Sequence, residues 1–372
     1  FVVKLRAIFR EFAFEACDHG EEMSQPGNIE VRDYALGFLF KFKLFSYILS
    51  LSKRIFNISN DDEFNSIALE VFEFQYKNIP VYKKYVDLVK SQKKSINHYK
   101  EIPFLPIDFF KSNHVIADNS KIEKTFLSSG TGNTIRSKHL VKDLKLYEQA
   151  FSAGYKHFYS DPKEWTILAL LPSYLDQGDS SLIYMVNNFI KKSENPESNY
   201  INYDLDVLKN LILKLKNKNV LLIGVSYALL ELSELDSFNL ENWVIMETGG
   251  MKGRRKEMVR QELHQQLKTA FNVDAIHSEY GMTELLSQAY SKKNGLFKIP
   301  PWMKFIIRDF EDPYSLAKIN SSGGINIIDL ANIYSCSFIE TQDIGKEVEK
   351  DSFEILGRFD QSEVRGCNLL SF

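Results

Sequence analysis

Apolar residues in the first third of the chain recur at helical spacing. Phe64, Ile67, Ala68, Val71 and Phe74 follow Ser59 and an acidic first turn of Asp61, Asp62 and Glu63, which predicts an amphipathic helix ending before Pro80. Tyr82, Tyr85 and Val86 predict a second helix over 81–89, and Pro103 and Pro106 mark an extended connector over 102–107. From there apolar runs and helical stripes alternate. Strands are expected at 125–127, 166–171, 220–225, 243–246 and 273–276, and helices at 144–158, 180–191, 205–215 and 227–235. Val259, Leu263, Leu267 and Phe271 recur every four residues as the stripe of one more helix. Shorter β-like runs follow at 305–307 and 325–328, and a strand from Ser337 ends in Thr341, Asp343 and Gly345. Strands alternating with helices predict an α/β fold with helices on both faces of its sheet.

One segment departs from this alternation. Ala35 to Leu51 is apolar and aromatic over 17 residues, yet Lys41 and Lys43 sit in its middle, where a bilayer penalises charge. A buried or lipid-touching helix fits that better than a membrane anchor. The chain opens on Phe1 and not on Met, so residues 1–56 read as an N-terminal extension whose start is not taken as native. With 372 residues, 44% of them hydrophobic, the rest of the chain can bury one large core. A formal charge of −3 gives no general attraction to nucleic acid or to an anionic membrane, and the basic residues form no patch interleaved with aromatics. Cys17, Cys336 and Cys367 are too scattered for a disulfide framework or a zinc cluster, which fits a reducing cytoplasm.

The densest group of reactive side chains is His277-Ser278-Glu279-Tyr280-Gly281-Met282-Thr283-Glu284. It follows a predicted strand, so Tyr280 to Glu284 should lie in a loop at a strand's carboxyl end, where open α/β sheets bind ligands. Gly281 allows close approach of the backbone, Thr283 can donate to a phosphate oxygen, and Glu284 can hold a magnesium ion. The same residues also read as a capped turn opening a helix. A second candidate is Ser128-Ser129-Gly130-Thr131-Gly132-Asn133-Thr134, a loop of N–H groups and hydroxyls suited to wrapping phosphates, or equally a plain linker. It carries no lysine and is not a Walker A loop. Gly249 and Gly250 end a strand, and the run Lys252, Arg254, Arg255, Lys256 at the next helix start suggests an anionic ligand or else a solvated face.

Taken in order, SSGTGN at 128–133, ETGG at 247–250, YGMTE at 280–284, TQDIG at 341–345 and GRFD at 357–360 resemble the core motifs of the adenylate-forming (ANL) superfamily. IPVYKKY at 79–85 and IPFLP at 102–106 are similar to its phenylacetate-CoA ligase branch. ETGGMKGRR, HSEYGMTELLSQAYS, PPWMK and the closing GRFDQSEVRGCNL look most like the LuxE-like acyl-protein synthetases of bacterial fatty acid reductase complexes.

The resemblance implies an ANL-type large N-terminal domain over 57–356, with helix-covered sheets and a small β subdomain, followed by a hinge-like tail over 357–372. The sequence stops twelve residues past Asp360, so the resemblance implies an enzyme without the usual C-terminal lid and its lysine. Lys252, Arg254 and Arg255 are candidate replacements for that charge. ATP's β- and γ-phosphates would fall to Ser128, Ser129, Gly130, Thr131 and Gly132, although Gly132 and Asn133 depart from the family's usual SGTTG. Gly249 and Gly250 would line the adenine pocket, Tyr280 would pack on the base beside Gly281, and Thr283 would touch the α-phosphate. Glu284 would bind Mg²⁺, Asp343 the ribose hydroxyls, and Arg358 would sit over the nucleotide near Asp360. The implied activity is ATP-dependent formation of an acyl adenylate from a carboxylic acid, a fatty acid being expected. The acyl group would then pass to Cys367 and on to an acceptor such as a reductase or carrier protein. The alternatives are a phenylacetate-type acyl-CoA ligase lacking its lid and a catalytically silent nucleotide-binding scaffold.

Overall fold

The computed structural model describes residues 47–89, 95–118, 120–129, 135–172, 178–250, 258–312 and 315–359. The chain divides into two compact units, residues 1–51 and 52–372. Of the first, residues 47–51 are described and are helical, so most of the apolar segment at 35–51 lies outside the described residues. Among the described residues no helix is long and apolar enough to cross a membrane.

The first helix lying wholly in the second unit is Asp61–Asn78, which buries Phe64, Ile67, Ala68, Val71 and Phe74 along the expected stripe. Its cap is Asn60, whose side chain accepts from the Glu63 N–H at 2.9 Å, while Ser59 donates its own N–H and hydroxyl back to the Glu63 carboxylate. The helix Pro80–Val89 follows at once. The connector after it becomes a short strand, β1 (Leu105–Pro106), and the hairpin β2 (Lys124–Leu127) and β3 (Lys138–Val141) comes next.

Five strands then build a parallel half-sheet in the order β5-β4-β6-β7-β8: β4 (Thr166–Leu170), β5 (Asn199–Tyr200), β6 (Val220–Val225), β7 (Trp243–Thr248) and β8 (Ile276–Tyr280). β4 and β6 are buried along their whole length, as continuous apolar runs with helices over both faces require. Successive residues of β8 show the two faces. His277 meets the Tyr159 hydroxyl after the helix Leu144–Phe158, and Ser278 turns instead toward His264 in the helix Arg260–Phe271. Side-chain caps start the intervening helices: Asp143 for Leu144–Phe158, Ser180 for Ser181–Ser193 and Asp204 for Leu205–Leu215.

At β8 the sheet changes direction. β9 (Ala289–Ser291), β10 (Leu296–Lys298), β11 (Met303–Arg308), β12 (Gly323–Asp329), β13 (Phe338–Glu349) and β14 (Ser352–Arg358) are antiparallel and continue the same sheet from β8 as β9-β10-β14-β13-β12-β11. β1 adds to β13 in parallel, which gives twelve strands in all. The β region is therefore joined to the α/β part by strand pairing.

Several expectations are corrected. β7 runs on through Glu247 and Thr248, which were read as lying past its end, and the strand near 273–276 is displaced to Ile276–Tyr280, so Tyr280 closes it. Residues 281–288 hold turns and no helix, which removes the helix-start reading of Thr283 and Glu284. Val259 precedes its helix and is 64% exposed, so the buried stripe is Leu263, His264, Leu267, Ala270 and Phe271. β13 does not stop at Gly345 but continues to Glu349, and Gly357 and Arg358, read as a turn and a tail, lie inside β14. The expected boundary at 356/357 thus falls within a paired strand. A polar strand that pairs on both edges carries no apolar run to announce it.

Candidate active site

The carboxyl end of β8 delivers the stretch singled out in the sequence. Tyr280 ends the strand, and Gly281 to Glu284 turn away from it, with the Leu285 N–H donating to the Met282 carbonyl at 3.1 Å. A Cβ at Gly281 would stand 2.6 Å from a Glu279 carboxylate oxygen, so this turn passes closer to Glu279 than any side chain would permit. Glu284 is buried. Burial pushes its carboxyl above the usual range, against a hydrogen bond from Ser137 and the charge of Arg358, which pull it down.

Asp343 comes from β13, 63 residues away from Tyr280, and its two oxygens are separately engaged. The Tyr280 hydroxyl donates to Oδ2 at 2.6 Å and Arg358 Nε donates to Oδ1 at 2.8 Å. Asp343 and Arg358 face each other directly across the β13–β14 ladder, so the pair is set by strand register. Arg358 is 66% exposed on its side chain while Asp343 is buried. Burial first, and then the Asp343 charge, hold the Tyr280 hydroxyl well above its ordinary pKa. The Tyr280 ring packs edge-on against Phe297 and Phe305, with centroids 6.1 and 5.6 Å away. Tyr280, Glu284, Asp343 and Arg358 therefore share one electrostatic neighbourhood.

Beneath the 281–284 turn lies a polar network with no signature in the sequence. His139 Nδ1 is 2.7 Å from the Thr283 carbonyl oxygen, and its Nε2 is 3.1 Å from Asn332 Oδ1. Asn332 Nδ2 donates to the carbonyls of Glu284 and Cys336 at 2.9 and 3.0 Å, so its oxygen is what remains to face the ring. A ring between two acceptors satisfies both only when protonated, while burial pushes its pKa down to about 4. Gln75 holds the other side of the Asn332 segment, donating to the carbonyls of Asn332 and Ile333 at 3.0 Å. Because His139 stands on β3, this network ties the β2–β3 hairpin to the Thr283 and Glu284 backbone.

That hairpin carries the serine–glycine loop. The Ser128 N–H donates to the Ser137 carbonyl, the Ser137 N–H donates to Ser128 Oγ at 2.9 Å, and Arg136 donates to the Ser128 carbonyl. Ser128 is half-buried and Ser129 exposed; Gly130, Thr131 and Gly132 lie outside the described residues. Gly249 and Gly250 are exposed just past β7, and the Ser226 hydroxyl donates to the Gly249 carbonyl at 3.0 Å. The basic run Lys252, Arg254, Arg255, Lys256 and the terminal Cys367 also lie outside the described residues. The thiol of Cys336 is buried in the core, where burial pushes its pKa up to about 12. Glu279, inside the stretch singled out above yet given no role there, is buried and accepts a hydrogen bond from Thr248; burial raises its carboxyl to about 7.

No curated protein sequence gives a match. Among solved structures, 2-hydroxyisobutyryl-CoA ligase in an open conformation with 2-HIB-AMP and CoA superimposes at TM-score 0.58 and 13% identity, covering 81% of this chain and 75% of that one. The same ligase in its postadenylation state with 2-HIB-AMP gives 0.57 and 13%, covering 81% and 68%. ATP-bound MatB from Rhodopseudomonas palustris gives 0.48 and 16%, covering 64% of this chain and 48% of that one, so the chain spans about half the length of that structure. At these identities the likeness is one of fold: that of the large N-terminal domain of adenylate-forming enzymes, as the motif order had implied. The profile of the family described as "Acyl-protein synthetase, LuxE" matches residues 46–371, and the chain belongs to that family.

Proposed function

We propose that this protein activates a carboxylic acid with ATP as an acyl adenylate and then carries the acyl group on Cys367 to an acceptor, a reductase or carrier protein. The observation that bears most weight is the convergence of Tyr280, Glu284, Asp343 and Arg358, drawn from β8, the turn after it, β13 and β14. Those residue types suit a nucleotide. Asp343 presents acceptor oxygens to ribose hydroxyls once Tyr280 and Arg358 give way or share them, the Tyr280 ring offers a face to adenine, and Arg358 is an exposed cation above the pair. Thr283 would donate to the α-phosphate, and Ser128, Ser129 and the loop to residue 132 would receive the outer phosphates.

Among the described residues no group of three or more His, Cys, Asp or Glu side chains could hold a metal ion alone. Magnesium fits a single buried carboxylate such as Glu284, because it is commonly held by one or two carboxylates together with substrate phosphates and water. Glu284 would be its protein ligand, and the ion would neutralise charge at the α-phosphate. A cation there also offsets the desolvation that raises the Glu284 carboxyl.

In the first step a carboxylate oxygen of the acid bonds to the α-phosphorus, the bond to the bridging oxygen of the β-phosphate breaks, and pyrophosphate leaves. In the second the Cys367 thiolate bonds to the acyl carbon and AMP leaves, giving a thioester. ATP–pyrophosphate exchange across short, long and aromatic acids tests the first step and finds the acid, a fatty acid being expected. Protein incubated with ATP, Mg²⁺ and that acid in radiolabelled form should acquire label released by neutral hydroxylamine. Cys367→Ala should lose the label and retain exchange. Equal labelling of Cys367→Ala and wild type, or acylation of CoA with no labelled protein, would sink the carrier role of Cys367.

A further inference from the structure

Arg260 stands where three separate supports of the nucleotide candidates meet. It opens the helix Arg260–Phe271, and its Nε donates to Glu247 Oε1 on β7 at 3.2 Å. Its Nη1 donates to the Ile355 carbonyl on β14 at 2.8 Å, and the guanidinium centre lies 5.1 Å from the centre of the Phe297 ring on β10. Each contact leads on to a candidate residue. The other Glu247 oxygen accepts from the Ser226 hydroxyl at 2.8 Å, which also reaches the Gly249 carbonyl. Phe297 is fully buried and packs edge-on to Tyr280. Ile355 lies three residues before Arg358 on the same strand.

The sequence makes room for this side chain. Gly295 has φ of 66°, and a Cβ there would come within 3.0 Å of the Arg260 Cδ. Glu247 is suited to hold it: burial acts to raise that carboxyl, but the His264 hydrogen bond and the Arg260 charge outweigh it and leave it below its usual range. Only a planar fork can serve a carboxylate, a strand carbonyl and a ring face together; a lysine has one point of charge.

We propose that Arg260 is a positioning residue for the nucleotide, a clamp that fixes the spacing between the Gly249–Gly250 edge, the Tyr280 ring and the strand carrying Arg358. It touches none of the reacting atoms, so losing it should weaken ATP binding and leave the chemical step nearly intact. The inference rests on the nucleotide site described under Proposed function.

The test uses the full-length protein and Arg260→Met, Arg260→Lys, Glu247→Gln and Arg260→Met/Glu247→Gln. ATP affinity is read directly by calorimetry, and KM for ATP, KM for the acid and kcat are read by pyrophosphate exchange. Arg260→Met should weaken ATP binding about tenfold, the scale of one charge-assisted hydrogen bond. KM for ATP should rise in parallel, with kcat and KM for the acid within about threefold of wild type. Arg260→Lys should recover part of the loss. The double variant removes the buried charge together with its partner, so it keeps the fold if Arg260→Met alone does not, and it should bind ATP no more weakly than Arg260→Met because the two residues act as one unit. If wild type binds ATP and the double variant binds it equally well, Arg260 is structural and this inference falls. If wild type does not bind ATP at all, the nucleotide reading of the site falls with it.

Discussion

The two halves of the sheet bear candidate residues in different ways. In the parallel half, Gly249 and Gly250 lie past the end of β7, and Gly281 to Glu284 lie past the end of β8. In the antiparallel half, Asp343 and Arg358 stand within strands and oppose each other in register. Position on a loop makes a group's geometry depend on what supports the loop; for Thr283 and Glu284 that is His139 and Asn332 beneath. Position in a ladder fixes a side chain by main-chain pairing, here that of β13 with β14. Tyr280, the last residue of the parallel half, joins the two through the Asp343 carboxylate. A substitution on the loop should therefore disturb chemistry most, and one in the ladder should disturb affinity.

Glu284→Gln tests the loop side. The amide keeps the size of the side chain and loses the anion proposed to hold Mg²⁺, so exchange kcat should fall by about a hundredfold or more, roughly 3 kcal/mol in the barrier. The melting temperature should not fall, since burial disfavours the charge that is removed. An exchange rate within a few-fold of wild type would leave Glu284 with no metal to bind.

How legible each half was follows from how each is buried. β6 and the helix Leu144–Phe158 have the bounds that their apolar spacing predicts, because a strand covered on both faces must be a continuous apolar run. In the antiparallel half β13 alternates buried and half-buried positions through Thr341, Gln342 and Asp343, and its polar residues read as a strand's end. The order of short motifs still marked Asp343 and Arg358, since motifs survive where periodicity is weak. Nothing in the sequence marked Gln75, His139 or Asn332. Their partners lie up to 262 residues away, and a lone buried polar residue looks the same whether it holds a loop or fills a gap.

Glu279 sharpens the comparison from beneath the seam, on β8 directly opposite Tyr290 of β9. Its folded pKa of about 7 lies above the 4.5 of an exposed glutamate, chiefly because it is buried. The folded state thus binds the proton more tightly than the unfolded state, and the charge penalty enters as pH rises from about 4.5 and is complete above 7. Glu279→Gln removes that penalty. The variant should be more stable than wild type by about 3 kcal/mol at pH 8, with the difference vanishing near pH 4.5, as read by denaturant midpoints across pH. A difference independent of pH would show that Glu279 does not titrate in this range.

Asp343→Ala carries the smallest effect and separates the two halves most directly. The substitution frees the Tyr280 hydroxyl and the Arg358 guanidinium together, yet Arg358 is 66% exposed, so water can replace its lost partner and the ion pair itself adds little to stability. The backbone pairing of β13 with β14 does not depend on the side chain and keeps Arg358 where it is. On the function proposed above, what is lost is an acceptor for ribose hydroxyls, which do not react. KM for ATP should therefore rise about tenfold, the scale of one hydrogen bond to a charged group, with kcat close to wild type. Replacing ATP by its 2′-deoxy form sharpens the assignment: wild type should lose affinity for it and Asp343→Ala should be almost indifferent, because the group that recognised the hydroxyl is gone. If Asp343→Ala instead lowers kcat as strongly as Glu284→Gln does, the ladder residue belongs to the chemistry, and the division of labour between the two halves of the sheet is wrong.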